Sequence, residues 1–195
     1  MQQPNAKPNH LPEGFYYQQK ALSAQKSLDL FYFLQQHLNW QQPNITVFGK
    51  THPIPRLQCF IADKQINYAY SGTQLVVEPW PEVLDAMRRR LSQQLHIPFN
   101  ALLVNLYRDG QDCMGWHSDD EKELGEQPTI VSISLGAERV FKIKHKHSNE
   151  KQSIVLQSGS CLIMNGFSQR DYQHSLPKQQ RLMHPRINLT FRSII

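Results

Sequence analysis

Hydrophobic positions recur with two different periods in the two halves of the chain. Leu28, Phe31, Leu34 and Leu38 fall at spacings of three and four, which predicts an amphipathic helix over 24–38. A second stripe, Leu84, Met87, Leu91 and Leu95, follows the helix-opening pair Pro81-Glu82 and stops before Pro98. Between the two, 43–80 mixes prolines with aromatic and polar residues. It reads as loops and short strands, where a scaffold presents binding groups. From about residue 101 the pattern changes to short strand-like runs separated by turn residues: ALLVNLY, TIVSISLG, VFKIKH, SIVLQ, SCLIMN and RINLTFRSI. Helices first and many strands after predict a mainly β chain with flanking helices (α+β), packed as a β-sandwich or jelly roll.

Composition narrows this picture a little. At 195 residues and 39% hydrophobic, the chain suits one domain with its own core. We expect 1–195 to be that single domain, with 1–14 a Pro-, Asn- and Gln-rich mobile tail, 15–100 helices and binding loops, and 101–195 the β core. Three scattered cysteines, Cys59, Cys113 and Cys161, make no disulfide framework and no CxxC zinc motif, and read as small core filler. No apolar run approaches the roughly 20 residues a bilayer needs, and the N-terminus lacks a secretory pattern. The expected location is therefore the cell interior, cytoplasmic (nucleoid-associated) or nuclear, and the expected state a monomer without a membrane partner. A net charge of +5 favours a polyanion only weakly. No G-x-G-x-x-G or P-loop pattern occurs, which argues against nucleotide-binding folds.

The sharpest local feature is Trp116-His117-Ser118-Asp119. In an extended segment residues two apart face the same way, so His117 and Asp119 can reach one metal ion. Two histidines and one carboxylate on one face of an octahedron leave open positions, the ligand set of non-haem iron(II) oxygenases. HxD by itself equally suits an exposed loop. His145 and His147 lie among lysines, which disfavours a dication, and His184 adjoins Pro185 in a turn. His174 follows SCLIMN and a loop, can return to the mouth of the sheet, and is the third ligand chosen on position.

A second constellation lies in Arg186-Ile187-Asn188-Leu189-Thr190-Phe191-Arg192. Alternation puts Ile187, Leu189 and Phe191 on one face and Arg186, Asn188, Thr190 and Arg192 on the other. The polar face is either an ordinary solvated one or a place where guanidinium groups grip a dianion bidentately. The two arginines are about 20 Å apart along a strand, so only side chains folding inward share a ligand. Asn105 and Tyr107 share a face on the strand leading towards His117 and can hydrogen-bond a carboxylate.

Taken in order, Asn105-Leu106-Tyr107-Arg108-Asp109-Gly110, Trp116 to Glu121, Ser132 to Gly136 with Arg139 and Phe141, then His174 and RINLTFR, resemble the AlkB family of Fe(II)/2-oxoglutarate-dependent dioxygenases over about 90 residues. The resemblance is closest to members active on double-stranded DNA. It implies a double-stranded β-helix (jelly-roll) core and iron(II) held by His117, Asp119 and His174. It implies 2-oxoglutarate held by Asn105, Tyr107, Arg186, Thr190 and Arg192, with Arg186 on the distal carboxylate and Arg192 near the metal-chelating end. O2 would be the other co-substrate.

Upstream, Val47-Phe48-Gly49-Lys50, Pro55-Arg56 and Tyr68-Ala69-Tyr70-Ser71-Gly72 resemble the family's nucleotide-recognition lid. Phe48 matches the apolar finger that fills the gap left by a flipped base, and a core aromatic in a turn is the other reading. Tyr68 would stack on the base, with Arg56, Tyr70 and Ser71 nearby, and Glu121 would accept from its exocyclic amine. The implied reaction is oxidative demethylation of bases such as 1-methyladenine and 3-methylcytosine in DNA, releasing formaldehyde and succinate. RNA, a protein or another molecule stays open as the alternative substrate. Lys142, Lys144 and Lys146, and the run Arg88-Arg89-Arg90, are candidate phosphate contacts or simply solvated faces.

Overall fold

The computed structural model describes residues 11–47, 49–66, 69–70, 73–74 and 76–195, with backbone alone at 47, 69, 70, 73 and 74. Along the chain run β1 (Phe15–Gln18), α1 (Ala24–His37), β2 (Asn44–Val47), β3 (Lys50–Pro53), β4 (Leu57–Ala62), β5 (Ala69–Tyr70), β6 (Thr73–Gln74), β7 (Val77–Glu78) and α2 (Glu82–Leu95). The second half holds β8 (Ala101–Tyr107), β9 (Met114–His117), β10 (Ile130–Gly136), β11 (Arg139–His145), β12 (Lys151–Leu156), β13 (Cys161–Met164), α3 (Gly166–Asp171), β14 (Tyr172–Leu176) and β15 (Arg186–Arg192).

Two sheets face each other. The major sheet has the order β1-β13-β10-β15-β8-β4-β7, and the minor sheet β12-β11-β14-β9. This is a jelly roll flanked by helices. Every pairing in the major sheet is antiparallel except β4 with β7. The hairpins β2-β3 and β5-β6 stand outside both sheets. The major sheet draws β1, β4 and β7 from the first hundred residues, so both parts of the chain build it.

One face of the major sheet is covered by the helices. Leu34, Leu84, Ile61, Leu102, Val104, Ile133, Ile187, Leu189 and Phe191 form that core. Burying a side chain of this size is worth about 1.5–3 kcal/mol. α1 begins at Ser23, whose side chain accepts the Lys26 N–H at 3.3 Å. Its buried residues are Ser27, Leu30, Phe31 and Leu34. The helix is therefore rotated from the expected stripe, and Leu28 is half exposed. Gly136 explains how close α1 comes to the sheet: a Cβ there would lie 2.7 Å from the Phe31 ring and 2.6 Å from the Pro185 carbonyl, at φ +82°. α2 carries Glu82 and Asp85 in its first turn, where acids suit the dipole, and ends with His96 in the left-handed region at φ 56°. Neither helix is long and apolar enough to cross a membrane, nor is any other among the described residues.

The opposite face of the major sheet packs against the minor sheet through Leu103, Phe141, Ile143, Ile154, Leu156, Leu162, Met164 and Leu176. Cys59 and Cys161 are buried and free, as expected of core filler, and burial pushes their thiols up to about 12 and about 11. Cys113 is only half buried.

Candidate active site

The site lies where the polar face of β15 looks across at the minor sheet. Ile187, Leu189 and Phe191 point into the helix-side core. That turns Arg186, Asn188, Thr190 and Arg192 into the space between the sheets. Register aligns them with neighbours: Tyr107 beside Arg186, Asn105 beside Asn188, Leu103 beside Thr190. The face is not a solvated one, since Arg186 is 1% and Arg192 2% exposed.

Arg186 donates from Nη2 to Ser134 Oγ and Asn188 Oδ1, both at 2.8 Å. Its Nε and Nη1 are buried without a hydrogen-bond partner. The Tyr107 hydroxyl lies close enough to support the charge but bonds to neither nitrogen. Burial pushes this guanidinium down to about 10, so it stays protonated at neutral pH. A buried guanidinium with two donors lacking an acceptor is suited to a carboxylate. Asn105 accepts the Arg56 Nε–H at 2.9 Å through Oδ1, and both residues line the cavity. Thr190 lines it too, but its hydroxyl donates to the Leu103 carbonyl at 2.7 Å and accepts from Arg192 Nη2 at 3.2 Å.

The two arginines do not converge. Arg192 sits 3.8 Å from Asp119, at the other end of the cavity from the Ser134–Asn188 pair that holds Arg186. They bracket the space rather than share one point in it.

Across the cavity, β9 and β14 bring His117 and His174 opposite each other in register, with ring centroids 4.2 Å apart. Asp119 follows β9 in the turn. One ligand atom from each of His117, Asp119 and His174 lies within 4.8 Å of the others. His174 is packed on the Phe141 ring at 5.2 Å. Burial, then the His117 charge, push His174 down to about 3, so its imidazole is neutral at pH 7. Burial also works against the Asp119 carboxylate, but Arg192, His174 and His117 together hold its pKa below the usual value. His117 Nδ1 lies 2.9 Å from the Gly115 carbonyl, which can only accept. That puts the proton on Nδ1 and leaves the Nε2 lone pair for a metal. Two imidazoles and an ionised carboxylate are the donors a divalent ion of this class takes, so the donor set fits iron(II).

Glu121 is two residues past Asp119. Its Oε2 is buried and unpartnered, and burial and the Asp119 charge push its pKa up. Of the lid residues, Phe48, Tyr68 and Ser71 lie outside the described residues, and Tyr70 is described only as backbone in β5. Arg56 is 3% exposed and reaches the site. Lys142 and Lys144 alternate outward on β11, with Lys144 Nζ 4.6 Å over the Trp116 ring. Lys146 bonds Asp120 and the Gln169 carbonyl. Arg88 and Arg89 are engaged by Asp85 within α2.

Two residues without an assigned role from the sequence prove central. Arg139 is 1% exposed. It donates to the carbonyls of Asp109, Asp112 and Pro177 and to Gln179 Oε1. It thereby ties together the β8–β9 and β14–β15 connections, where Gly110 leaves no room for a Cβ against the Gln179 carbonyl. Gln169 is equally buried and accepts the Asp119 N–H at 2.8 Å. Arg139 stood within the family motif; nothing in the sequence marked Gln169.

The 2OG-Fe(II) oxygenase superfamily model matches residues 14–192, and the chain belongs to that superfamily. Its relatives place it in the AlkB branch. It is 35% identical over 209 residues to the DNA oxidative demethylase ALKBH2 of Arabidopsis thaliana, covering 92% of this chain and 66% of that protein. It is 40% identical over 159 residues to ALKBH2 of Homo sapiens, covering 77% and 61%. It is 37% identical over 171 residues to the alpha-ketoglutarate-dependent dioxygenase alkB homolog 3 of Homo sapiens, covering 83% and 59%. The chain thus spans less than two thirds of the length of these relatives. The solved structure of OsALKBH1 shares the fold at a TM-score of 0.65 and 18% identity, covering 94% of this chain and 100% of that one.

Proposed function

We propose that this protein is an Fe(II)- and 2-oxoglutarate-dependent dioxygenase that removes alkyl groups from N-alkylated bases in DNA, such as 1-methyladenine and 3-methylcytosine. The observation that carries this is one cavity lined both by the His117–Asp119–His174 trio and by Arg186 with its two unpartnered donors. The substrate class rests on the similarity to proteins named DNA oxidative demethylase.

His117, Asp119 and His174 would hold the iron. Arg186 would take the distal carboxylate of 2-oxoglutarate, with Asn105 and Tyr107 beside it. Arg192 and Thr190 would lie at the chelating end, where Arg192 also offsets the Asp119 charge. When bound, iron and 2-oxoglutarate supply the oxidation, in which O2 is consumed, 2-oxoglutarate becomes succinate and carbon dioxide, and the hydroxylated N-methyl group leaves as formaldehyde. The chain's own part is to align the target carbon and exclude water. Glu121, whose Oε2 is buried and unpartnered, would receive the exocyclic amine of the base. Phe48, Arg56, Tyr68, Tyr70 and Ser71 form the base-handling lid in this reading, with Phe48 occupying the gap in the duplex. A methylated cationic base would stack on Tyr68 and on the His117 ring. The outward Lys142 and Lys144 suit phosphate contacts. The whole of 1–195 acts as one dioxygenase domain and as a monomer, where DNA is held, in a nucleoid or nucleus.

The test is formaldehyde and succinate release from a 1-methyladenine oligonucleotide, single- and double-stranded, with iron(II), 2-oxoglutarate and ascorbate. Turnover that requires both iron and 2-oxoglutarate is expected. Turnover on methylated RNA but on neither DNA form would move the substrate assignment. Phe48→Ala should reduce repair of duplex more than of single strands, and an equal loss on both would remove Phe48 from the finger role.

A further inference from the structure

Asp119 is the member of the trio that lies outside any strand. It follows β9 in a turn, and no protein group hydrogen-bonds its carboxylate oxygens among the described residues; the nearest partners, Arg192 and His174, are each 3.8 Å away. Its carboxylate is open to a ligand, and its direction must be set through the backbone. One side chain does that. Gln169, 1% exposed, accepts the Asp119 N–H at 2.8 Å through Oε1.

The orientation of that amide is fixed by its other end. Gln169 Nε2 donates to Ser168 Oγ at 2.9 Å, and Ser168 Oγ donates its own proton to the Asn165 carbonyl at 2.6 Å. The Ser168 hydroxyl can therefore only accept from Gln169, which forces the carbonyl oxygen towards Asp119. Asn165 in turn caps α3 by accepting the Phe167 N–H. A second tie lies one residue away: Ser118 Oγ donates to the Tyr172 carbonyl at 2.8 Å. Tyr172 opens β14, the strand that carries His174. The short helix α3 and the first residue of β14 thus grip the Asp119 loop at two adjacent residues.

We propose that Gln169 is a positioning residue for the metal centre: its buried carbonyl fixes the backbone, and through it the carboxylate, of Asp119. This rests on the reading of His117, Asp119 and His174 as the iron ligands. Groups that orient metal ligands from outside the coordination sphere typically change metal affinity by 10–100-fold when removed. Gln169→Met keeps the volume and deletes the acceptor. Gln169→Glu keeps an acceptor oxygen at the same reach.

The experiment is titration of the metal-free full chain with Mn(II) in the presence of 2-oxoglutarate, reading free Mn(II) by electron paramagnetic resonance, with melting of each metal-free variant alongside. Gln169→Met should bind Mn(II) about 10–100-fold more weakly, and Gln169→Glu should stay near wild type. Wild-type affinity in Gln169→Met, or equal losses in both variants, would overturn the proposal in favour of plain packing. Should Gln169→Met not fold, Ser168→Ala frees the amide to turn. A weakened Mn(II) affinity there supports the proposal, and an unchanged one overturns it. Asp119→Ala separates the two levels: if it binds Mn(II) like wild type, the ligand assignment itself fails, whatever Gln169 does.

Discussion

Arg186→Met should act very differently on the ligand-free and the ligand-bound protein. In the ligand-free chain the guanidinium is 1% exposed and has two nitrogens without partners. Its fall from the ordinary 12.5 to about 10, driven first by burial, corresponds to about 3 kcal/mol of unfavourable charge burial. Methionine removes that charge at similar length. It also removes the two charge-assisted bonds to Ser134 and Asn188, which together are worth about 3–6 kcal/mol. The two effects largely offset, so the ligand-free protein should lose no more than about 3 kcal/mol, with a melting temperature lower by about 2–4 °C for each net kcal/mol lost. Binding has no such offset. Two charge-assisted hydrogen bonds to a carboxylate are worth about 3–6 kcal/mol, so 2-oxoglutarate affinity should fall by roughly 10²–10⁴-fold. Isothermal titration with 2-oxoglutarate, Mn(II) replacing iron to prevent turnover, reads the affinity; scanning calorimetry without ligand reads the stability. A variant that binds 2-oxoglutarate as tightly as wild type, or whose ligand-free form loses far more than about 3 kcal/mol, would show that Arg186 is a structural ion and not a receptor for the dianion.

Leu34→Ala should cost about 2–5 kcal/mol in chemical denaturation, because Leu34 is fully buried, while Leu28→Ala, at a half-exposed position, should stay within about 0.5 kcal/mol. Asp112→Asn should lose roughly 1–2 kcal/mol at pH 7, since Arg108 Nε, Nη2 and backbone N–H all donate to that carboxylate but Arg108 is half exposed. Burial raises the Asp112 pKa, yet these bonds and the Arg139 charge bring it below the ordinary 3.8. Its stabilisation is thus complete above 3.8 and disappears as pH falls through the lowered value, so acid unfolding curves of wild type and Asp112→Asn should converge there; a constant gap down that limb would sever the link to this carboxylate.

What the amino-acid pattern revealed depended on how local each signal was. The alternation in β15 needed only seven residues and was right about which face carries Arg186 and Arg192. Both helices were legible from their stripes, although α1 is rotated so that Leu30 replaces Leu28, with Phe31 and Leu34 common to both faces. The membership of β1 in the major sheet was not legible. Phe15 pairs with Met164, about 150 residues away, and a strand of four residues carries too little period to announce itself. The His117–Asp119–His174 trio was half legible: HxD is local, whereas His174 joins it only because β14 lies next to β9. Gln169 and Arg139 hydrogen-bond to backbone atoms of distant loops, and such a contact leaves no trace in residue type or spacing.

That last class of contact explains how the site is held together. The groups proposed to hold 2-oxoglutarate stand on β8 and β15 of the major sheet, and the histidines stand on β9 and β14 of the minor one. Among the connections that cross between the sheets, 108–113 joins β8 to β9 and 177–185 joins β14 to β15. Either one could shift a carboxylate pocket relative to a metal by more than a near-attack geometry tolerates. Arg139, on β11, bonds both: its guanidinium donates to the backbone carbonyls of Asp109 and Asp112 from one connection, and to the Pro177 carbonyl and the Gln179 side-chain oxygen from the other. Its charge also lies 5.6 Å from the centre of the Tyr107 ring, whose other guanidinium neighbour, at 5.4 Å, is Arg186. The spacing between the two halves of the site is therefore set by a buried cation that reads backbone from both loops, not by the loops' own stiffness. It follows that substitutions in either connection which leave these carbonyls in place should be tolerated, while those that move them should act on 2-oxoglutarate affinity and metal affinity together.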